Sequence, residues 1–153
     1  MFLIGLLAVA CKSEVACRSA TIDVGTVKEA VGVAYAGITR FENGVAKVLV
    51  ATPNVEAVRQ KLDGVLECKA RVVGVKYSYS DLDSFANRAV NLLDERPDLA
   101  FHGVGIDEAS NRIVVSSEAD PFPARERRVV LGQVPEDAVR FVGGEARQTT
   151  GPR

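Results

Sequence analysis

One histidine, three cysteines and four pairs of neighbouring carboxylates are the residues of this 153-residue chain with the most obvious chemical potential. A Ser-His-Asp relay would need His102 as its base, because there is no other histidine. His102 stands between Phe101 and Gly103 in a segment that reads as a strand, and no G-x-S-x-G turn presents a serine nucleophile. One histidine with Cys11, Cys17 and Cys68 falls short of most multi-His and multi-Cys metal sites, and no C-x-x-C supports thiol redox chemistry. The pairs Asp81/Asp83, Asp94/Glu95, Asp107/Glu108 and Glu136/Asp137 each fall at a helix end or a turn, where capping and solvation account for them. Neither Gly103-Val104-Gly105 nor Gly143-Gly144 follows a strand and opens a helix with phosphate-loop spacing. Nineteen basic and twenty acidic residues leave a net charge of -1, so no global field attracts nucleic acid. The expectation is a chain without catalytic residues, metal or cofactor.

The elements that would position these residues form a repeat. Val33 to Arg40 alternates, Glu42-Asn43-Gly44 makes a turn, and Val45 to Ala51 is an apolar return strand, together a hairpin. Thr52 and Pro53 suit the start of a helix carrying Val55, Val58 and Leu62 on one face, stopped by Gly64. A strand follows within Lys69 to Lys76. The same order returns as Leu99 to Ile106, a turn over Asp107 to Asn111, Arg112 to Ser117, a helix within Pro121 to Gly132 with Arg125, Arg127 and Arg128 on its wet side, and a last strand. Ala34, Gly37, Glu42 and Val48 recur as Ala100, Gly103, Glu108 and Val114 at one spacing, and Tyr35 answers Phe101. Glu67, Arg71, Val73 and Gly74 recur as Glu136, Arg140, Val142 and Gly143 at a slightly larger one. Between the copies, Ser80 with Asp83 can cap an amphipathic helix carrying Leu82, Phe85, Ala86, Ala89, Val90 and Leu93, which Arg96-Pro97-Asp98 ends. The expected fold is α+β. Two β-β-α-β units with small antiparallel sheets, residues 33–77 and 99–143, are joined by a helix over residues 80–96.

Residues 1–20 read as an export leader. Met1 to Ala10 is an apolar run suited to a signal-peptide core and too short to span a bilayer as a helix, although no basic residue precedes it. Ala8-Val9-Ala10-Cys11 loosely resembles a lipobox, which would make Cys11 a lipidation site and the only reason to expect membrane association. The alternative is a buried N-terminal strand or helix. In an oxidising compartment Cys17 and Cys68 could pair, but three cysteines leave the connectivity open, and Cys68 could equally be a buried free thiol.

The order hairpin, helix, strand, helix, hairpin, helix, strand resembles the pro-region of secreted bacterial chymotrypsin-like serine proteases, the alpha-lytic protease and streptogrisin group. The segments that carry the resemblance are VAYAGITRFENGVAKVL (33–49), RVVGVKYSYSDL (71–82), FHGVGIDEASNRIVV (101–115) and DAVRFV (137–142). The most specific is the strand pair from Gly103 to Val115. The resemblance implies a secreted or cell-envelope, non-catalytic domain that assists folding of a serine protease domain, in cis or in trans, and then inhibits it. It implies strand addition through Phe101, His102, Val104, Ile106, Arg112, Val114, Arg140 and Val142, with Gly143, Gly144, Glu145, Ala146 and Arg147 directed towards the protease cleft as part of a tail over residues 144–153. No catalytic domain follows within this chain. The second expectation is a stand-alone exported lipoprotein or envelope module that binds another protein.

Overall fold

A computed structural model describes residues 15–18, 21–40 and 44–144. Its elements in chain order are α1 (Val24–Val31), β1 (Tyr35–Arg40), β2 (Ala46–Val50), α2 (Val55–Val65), β3 (Arg71–Gly74), α3 (Tyr79–Glu95), β4 (Phe101–Asp107), β5 (Arg112–Ser117), α4 (Ala124–Leu131) and β6 (Val139–Val142). They form two separate three-stranded sheets, β1-β2-β3 and β4-β5-β6, in an α+β fold. The sheets are mixed where antiparallel ones are expected. β2 and β5 pair antiparallel with β1 and β4 but parallel with β3 and β6. The cause is the connection: a helical crossover returns the chain to the end of the sheet it left, which parallel pairing requires.

The duplication extends to irregularities of the backbone. The register of β1 on β2 shifts between Tyr35 and Gly37, and that of β4 on β5 shifts between Phe101 and Gly103, so the bulge recurs at matching positions. Register corrects one part of the sequence match. Ile38 faces Val48 as Val104 faces Val115, so Val48 corresponds to Val115 and not to Val114. The turn of the second hairpin is one residue longer. Arg71 pairs with Lys47 as Arg140 pairs with Val114, which keeps Arg71 matched to Arg140.

Helix α1 is absent from the sequence expectation. Asp23 caps it by accepting the Thr26 N–H at 2.8 Å, and Val27 and Val31 are buried. Its presence changes the meaning of α3, which stands before the second hairpin as α1 stands before the first. Each unit is therefore α-β-β-α-β, and the helix expected as a linker opens the second unit. The Ser80 cap is also corrected. Ser78 Oγ accepts the Asp81 N–H at 3.1 Å while Asp81 accepts the Ser78 N–H at 2.9 Å, a capping box two residues earlier. On α3, Leu82, Ala89 and Leu92 are buried, whereas Val90 is exposed because it lies about 100° around the helix from Ala89.

The first unit carries three further boundary corrections. Asn54, not Thr52, caps α2, accepting the Ala57 N–H at 3.1 Å; Thr52 instead accepts the Asn54 N–H at 3.2 Å in the preceding turn. Gly64 lies inside α2, which ends at Val65. Val33 is 96% exposed in a short 3-10 turn, so the strand begins at Tyr35.

Each unit has its own core. The first gathers Val27, Val31, Tyr35, Ala46, Val48, Val50 and Leu62 with Cys17, and the second gathers Leu82, Ala89, Leu92, Phe101, Ile113, Val115, Val130 and Val139. Cys17 and Cys68 form a disulfide, which resolves the open connectivity and replaces the free-thiol alternative for Cys68. It ties the segment at Ala16, bridged to Lys69, to the approach of β3, so residues 16–18, expected within a leader over residues 1–20, belong to the folded first unit. Arg125, Arg127 and Arg128 lie on the exposed side of α4.

Two outcomes test this description. Ser78→Ala should cost about 1 kcal/mol in urea unfolding through loss of the cap, whereas Ser80→Ala should change stability by less than about 0.5 kcal/mol. Replacing Cys17 and Cys68 together by alanine should lower stability by up to about 4 kcal/mol, because the disulfide closes a loop with a sequence separation of 51.

Candidate functional site

In the second sheet β5 is central, β4 and β6 are its edges, and the two faces differ. Phe101, Ile113, Val115 and Val139 point into the second core, with Val104, Ile106 and Phe141 partly buried against it. Phe101 is 1% exposed, so its side chain packs the core and is not a contact for a partner. What Val104 and Ile106 can offer is mainly backbone. On the other face the register places Gly103, Ser116 and Val142 in one lateral row and Gly105, Val114 and Arg140 in the next. The β4 side of this face is low, because it carries glycines. A Cβ at Gly105 would meet nothing within 4 Å, and one at Gly103 would lie 3.3 Å from Ser116 Cβ.

Arg140 is engaged within the sheet. Its Nη2 donates to Asp107 Oδ2 at 3.2 Å, across the face to the end of β4. Asp107 also accepts the Ser110 N–H at 3.3 Å and the Ser110 hydroxyl at 2.8 Å. Burial opposes ionisation of Asp107, but these bonds outweigh it and hold its carboxyl below the usual carboxylate range. His102 is the half-exposed residue within the bulge of β4, while Ala36 at the matching position of β1 is fully buried. Arg112 is exposed at the start of β5 and lines a cleft of about 270 Å³ with Lys76, Tyr77, Asn111 and Asp137.

The exit from β6 is closely packed. A Cβ at Gly143 would lie 2.5 Å from the Ala119 carbonyl oxygen and 2.9 Å from the Phe122 nitrogen, so only glycine fits there. Gly144, at φ +76°, donates its N–H to the same carbonyl at 3.2 Å. Gly143 and Gly144 are thus anchored on the loop before α4. Glu145, Ala146 and Arg147, like Cys11, the leader segment before Val15, and the turn residues Glu42 and Asn43, lie outside the described residues.

Sequence reasoning did not find the contacts that hold the second sheet to the segment entering α3 and to β1. Asn111, in left-handed conformation at φ 53°, accepts the Tyr77 N–H at 2.9 Å and donates to the Tyr77 carbonyl at 2.8 Å. Asp137 pairs with Lys76 and accepts the Tyr77 hydroxyl at 2.7 Å; the bond from Lys76, then that from Tyr77, lowers its pKa. Glu108 Oε2 accepts the Ile38 N–H at 2.9 Å, across 70 residues. No spacing in the sequence signals these pairings, although Gly37 has a legible reason afterwards: a Cβ there would meet the Glu108 carboxylate at 2.4 Å. The Ile38 N–H therefore points away from β2. Because Val104 occupies the matching register position, its N–H points to the outer edge of β4, with which no described strand pairs.

Among the described residues no three His, Cys, Asp or Glu side chains gather as a metal site, and no helix is long and apolar enough to cross a membrane. No family model and no curated protein sequence matches this chain.

The junction carries a pH signature. Tyr35 is 8% exposed, packs at 6.1 Å from the Tyr79 ring, and has its phenol pushed up to about 12, first by burial and then by the negative charge of Glu108. A phenol harder to ionise in the folded than in the unfolded chain contributes its full stability below about pH 10 and loses it as the pH rises through 12. The urea midpoint should therefore fall between about pH 9 and pH 11, and Tyr35→Phe should flatten that fall. An unchanged slope in the variant would remove Tyr35 as its cause.

Proposed function

We propose that this chain is a non-catalytic, pro-region-like domain of an exported protein that assists the folding of a chymotrypsin-like serine protease domain, in cis or in trans, and then inhibits it. The observation that supports this reading most is the second sheet. It is a three-stranded sheet whose β4 edge carries no strand partner among the described residues and whose β6 is the last described strand before the tail. Strand addition needs unpaired backbone N–H and C=O groups held in extended geometry, which an edge strand supplies without side-chain chemistry.

Each candidate residue takes a role by position. Val104 and Ile106 present backbone at the β4 edge, and His102 lies at the bulge where that edge changes register. Val114 and Val142 give the shallow outer face its apolar character. Arg140, bound to Asp107, and Arg112 frame it with charge. Gly143 and Gly144 are anchored on the loop before α4, and Glu145, Ala146 and Arg147 are the residues assigned to the protease cleft. A domain that binds the folding transition state of its protease more tightly than the unfolded chain lowers the barrier, and continued binding to the native enzyme blocks the cleft. The Cys17–Cys68 disulfide is what an oxidising compartment favours and supports export.

The test uses the catalytic domain of an alpha-lytic or streptogrisin-type protease made without its own pro-region and unfolded in denaturant. Equimolar chain should raise the recovered activity at least about tenfold once the chain is itself degraded, and should inhibit the native enzyme. Val104→Pro, which removes an outward N–H at a tolerated edge position, should weaken that inhibition about tenfold while leaving the chain folded. Refolding yield and native activity both unaffected by the wild-type chain would refute the reading.

A further inference from the structure

In each unit a short segment ahead of the first helix lies across the gap between the start of the central strand and the approach to the third strand. In the first unit it is residues 15–18. The Cys17 carbonyl accepts the Ala46 N–H at 2.6 Å, Cys17 donates its own N–H to the Lys69 carbonyl at 2.9 Å, and the Val15 carbonyl accepts the Lys69 N–H at 3.0 Å. In the second unit it is Lys76 and Tyr77, held by Asn111 and Asp137. The fasteners correspond. Cys68 stands three residues before Arg71 as Asp137 stands three before Arg140, and Arg71 and Arg140 share one register position. Cys17 is joined to Cys68 by a disulfide where Tyr77 is joined to Asp137 by a hydrogen bond of 2.7 Å.

We propose that the Cys17–Cys68 disulfide is a redox latch that closes the first unit only after oxidation, while the second unit, with a non-covalent fastener at the matching place, closes in either redox state. Without the covalent bond, the backbone hydrogen bonds of residues 15–18 and the burial of Cys17 must offset the conformational freedom of the whole segment, and the open form wins. Lys76 and Tyr77 lose less freedom on docking, because β3 and α3 already hold them at both ends. An open segment leaves the Ala46 N–H and both backbone groups of Lys69 without these partners, a strand-accepting slot that the oxidised chain fills itself. Cys17 is 1% exposed, whereas Cys68 is half-buried and lines a cleft of about 640 Å³ with Val15, Ile22 and Leu66, so Cys68 is the point of entry for thiol exchange. Its thiolate attacks one sulfur of an oxidant disulfide and releases one oxidant thiol. The Cys17 thiolate then attacks Cys68 in the mixed disulfide, forming the protein bond and releasing the second oxidant thiol. Two electrons and two protons pass from the protein thiols to the oxidant, and a dithiol reverses both steps. The latch concerns the first unit and stands whichever partner the second sheet takes.

Amide exchange tests it on the full chain carrying Cys11→Ser, which leaves a single possible cysteine pair, in the oxidised form and after reduction by excess dithiothreitol. On reduction the Cys17, Ala46 and Lys69 amides should exchange at least about a hundredfold faster, while the Tyr77 and Leu82 amides should change by less than about threefold. Oxidised glutathione should restore the slow exchange. Equal protection of the first three amides before and after reduction would overturn the proposal without any core variant having to fold. So would loss of protection at Tyr77 and Leu82 together with them, because the bond would then hold both units.

Discussion

The turn between β4 and β5 is the contact on which the relation between the two units depends. Asn111 behaves there as a piece of backbone, giving Tyr77 one acceptor and one donor as a neighbouring strand would. Tyr77 lies between β3 and α3, where its N–H and C=O are partly buried, and leaving both unpaired would cost a few kcal/mol, about 1–3 for each group. Asp137 grips the same segment from the approach to β6, through Lys76 and the Tyr77 hydroxyl. One residue further on, the Ser78 capping box starts α3. The helix that opens the second unit is thus aimed by the unit's own turn.

This arrangement makes α3 a member of both cores. Tyr79 at its first position packs on the first core, beside Tyr35, with Lys28 lying 5.2 Å and 5.7 Å from the two ring centres. Leu82, Ala89 and Leu92 belong to the second. Two sheets of three strands are each near the lower limit of what is stable alone, and a shared helix joins them without merging their edges.

Duplication doubles the number of exposed strand edges, and edges are sites of unwanted pairing. The molecule treats the two outer hairpin strands differently. The longer second turn reaches back and lays a carboxylate over β1, whereas β4 stays open above the glycines of the outer face. Arg140 and Asp107 brace the available side by linking β6 to the end of β4.

Much of the architecture was legible because it rests on local chemistry. The alternation in the strands, the amphipathic stripe of α3 and the repeated order of elements identified an α+β chain of two like units, with both hairpins in place. The choice of Ser80 as a cap shows where local chemistry is degenerate. Ser78 with Asp81 and Ser80 with Asp83 have the same spacing, and the earlier pair is used where Tyr79 packs against the first core. Helix α1 escaped notice because eight residues with a glycine and several valines carry little intrinsic signal, and burial of Val27 and Val31 stabilises it. The direction of β3 and β6, the disulfide partner of Cys17, and the placement of Glu108 and Asn111 depend on segments tens of residues apart meeting in space. Composition and periodicity determined which segments are strands and helices; only tertiary packing decided which edge is covered, because that depends on a contact across 70 residues that no local pattern encodes.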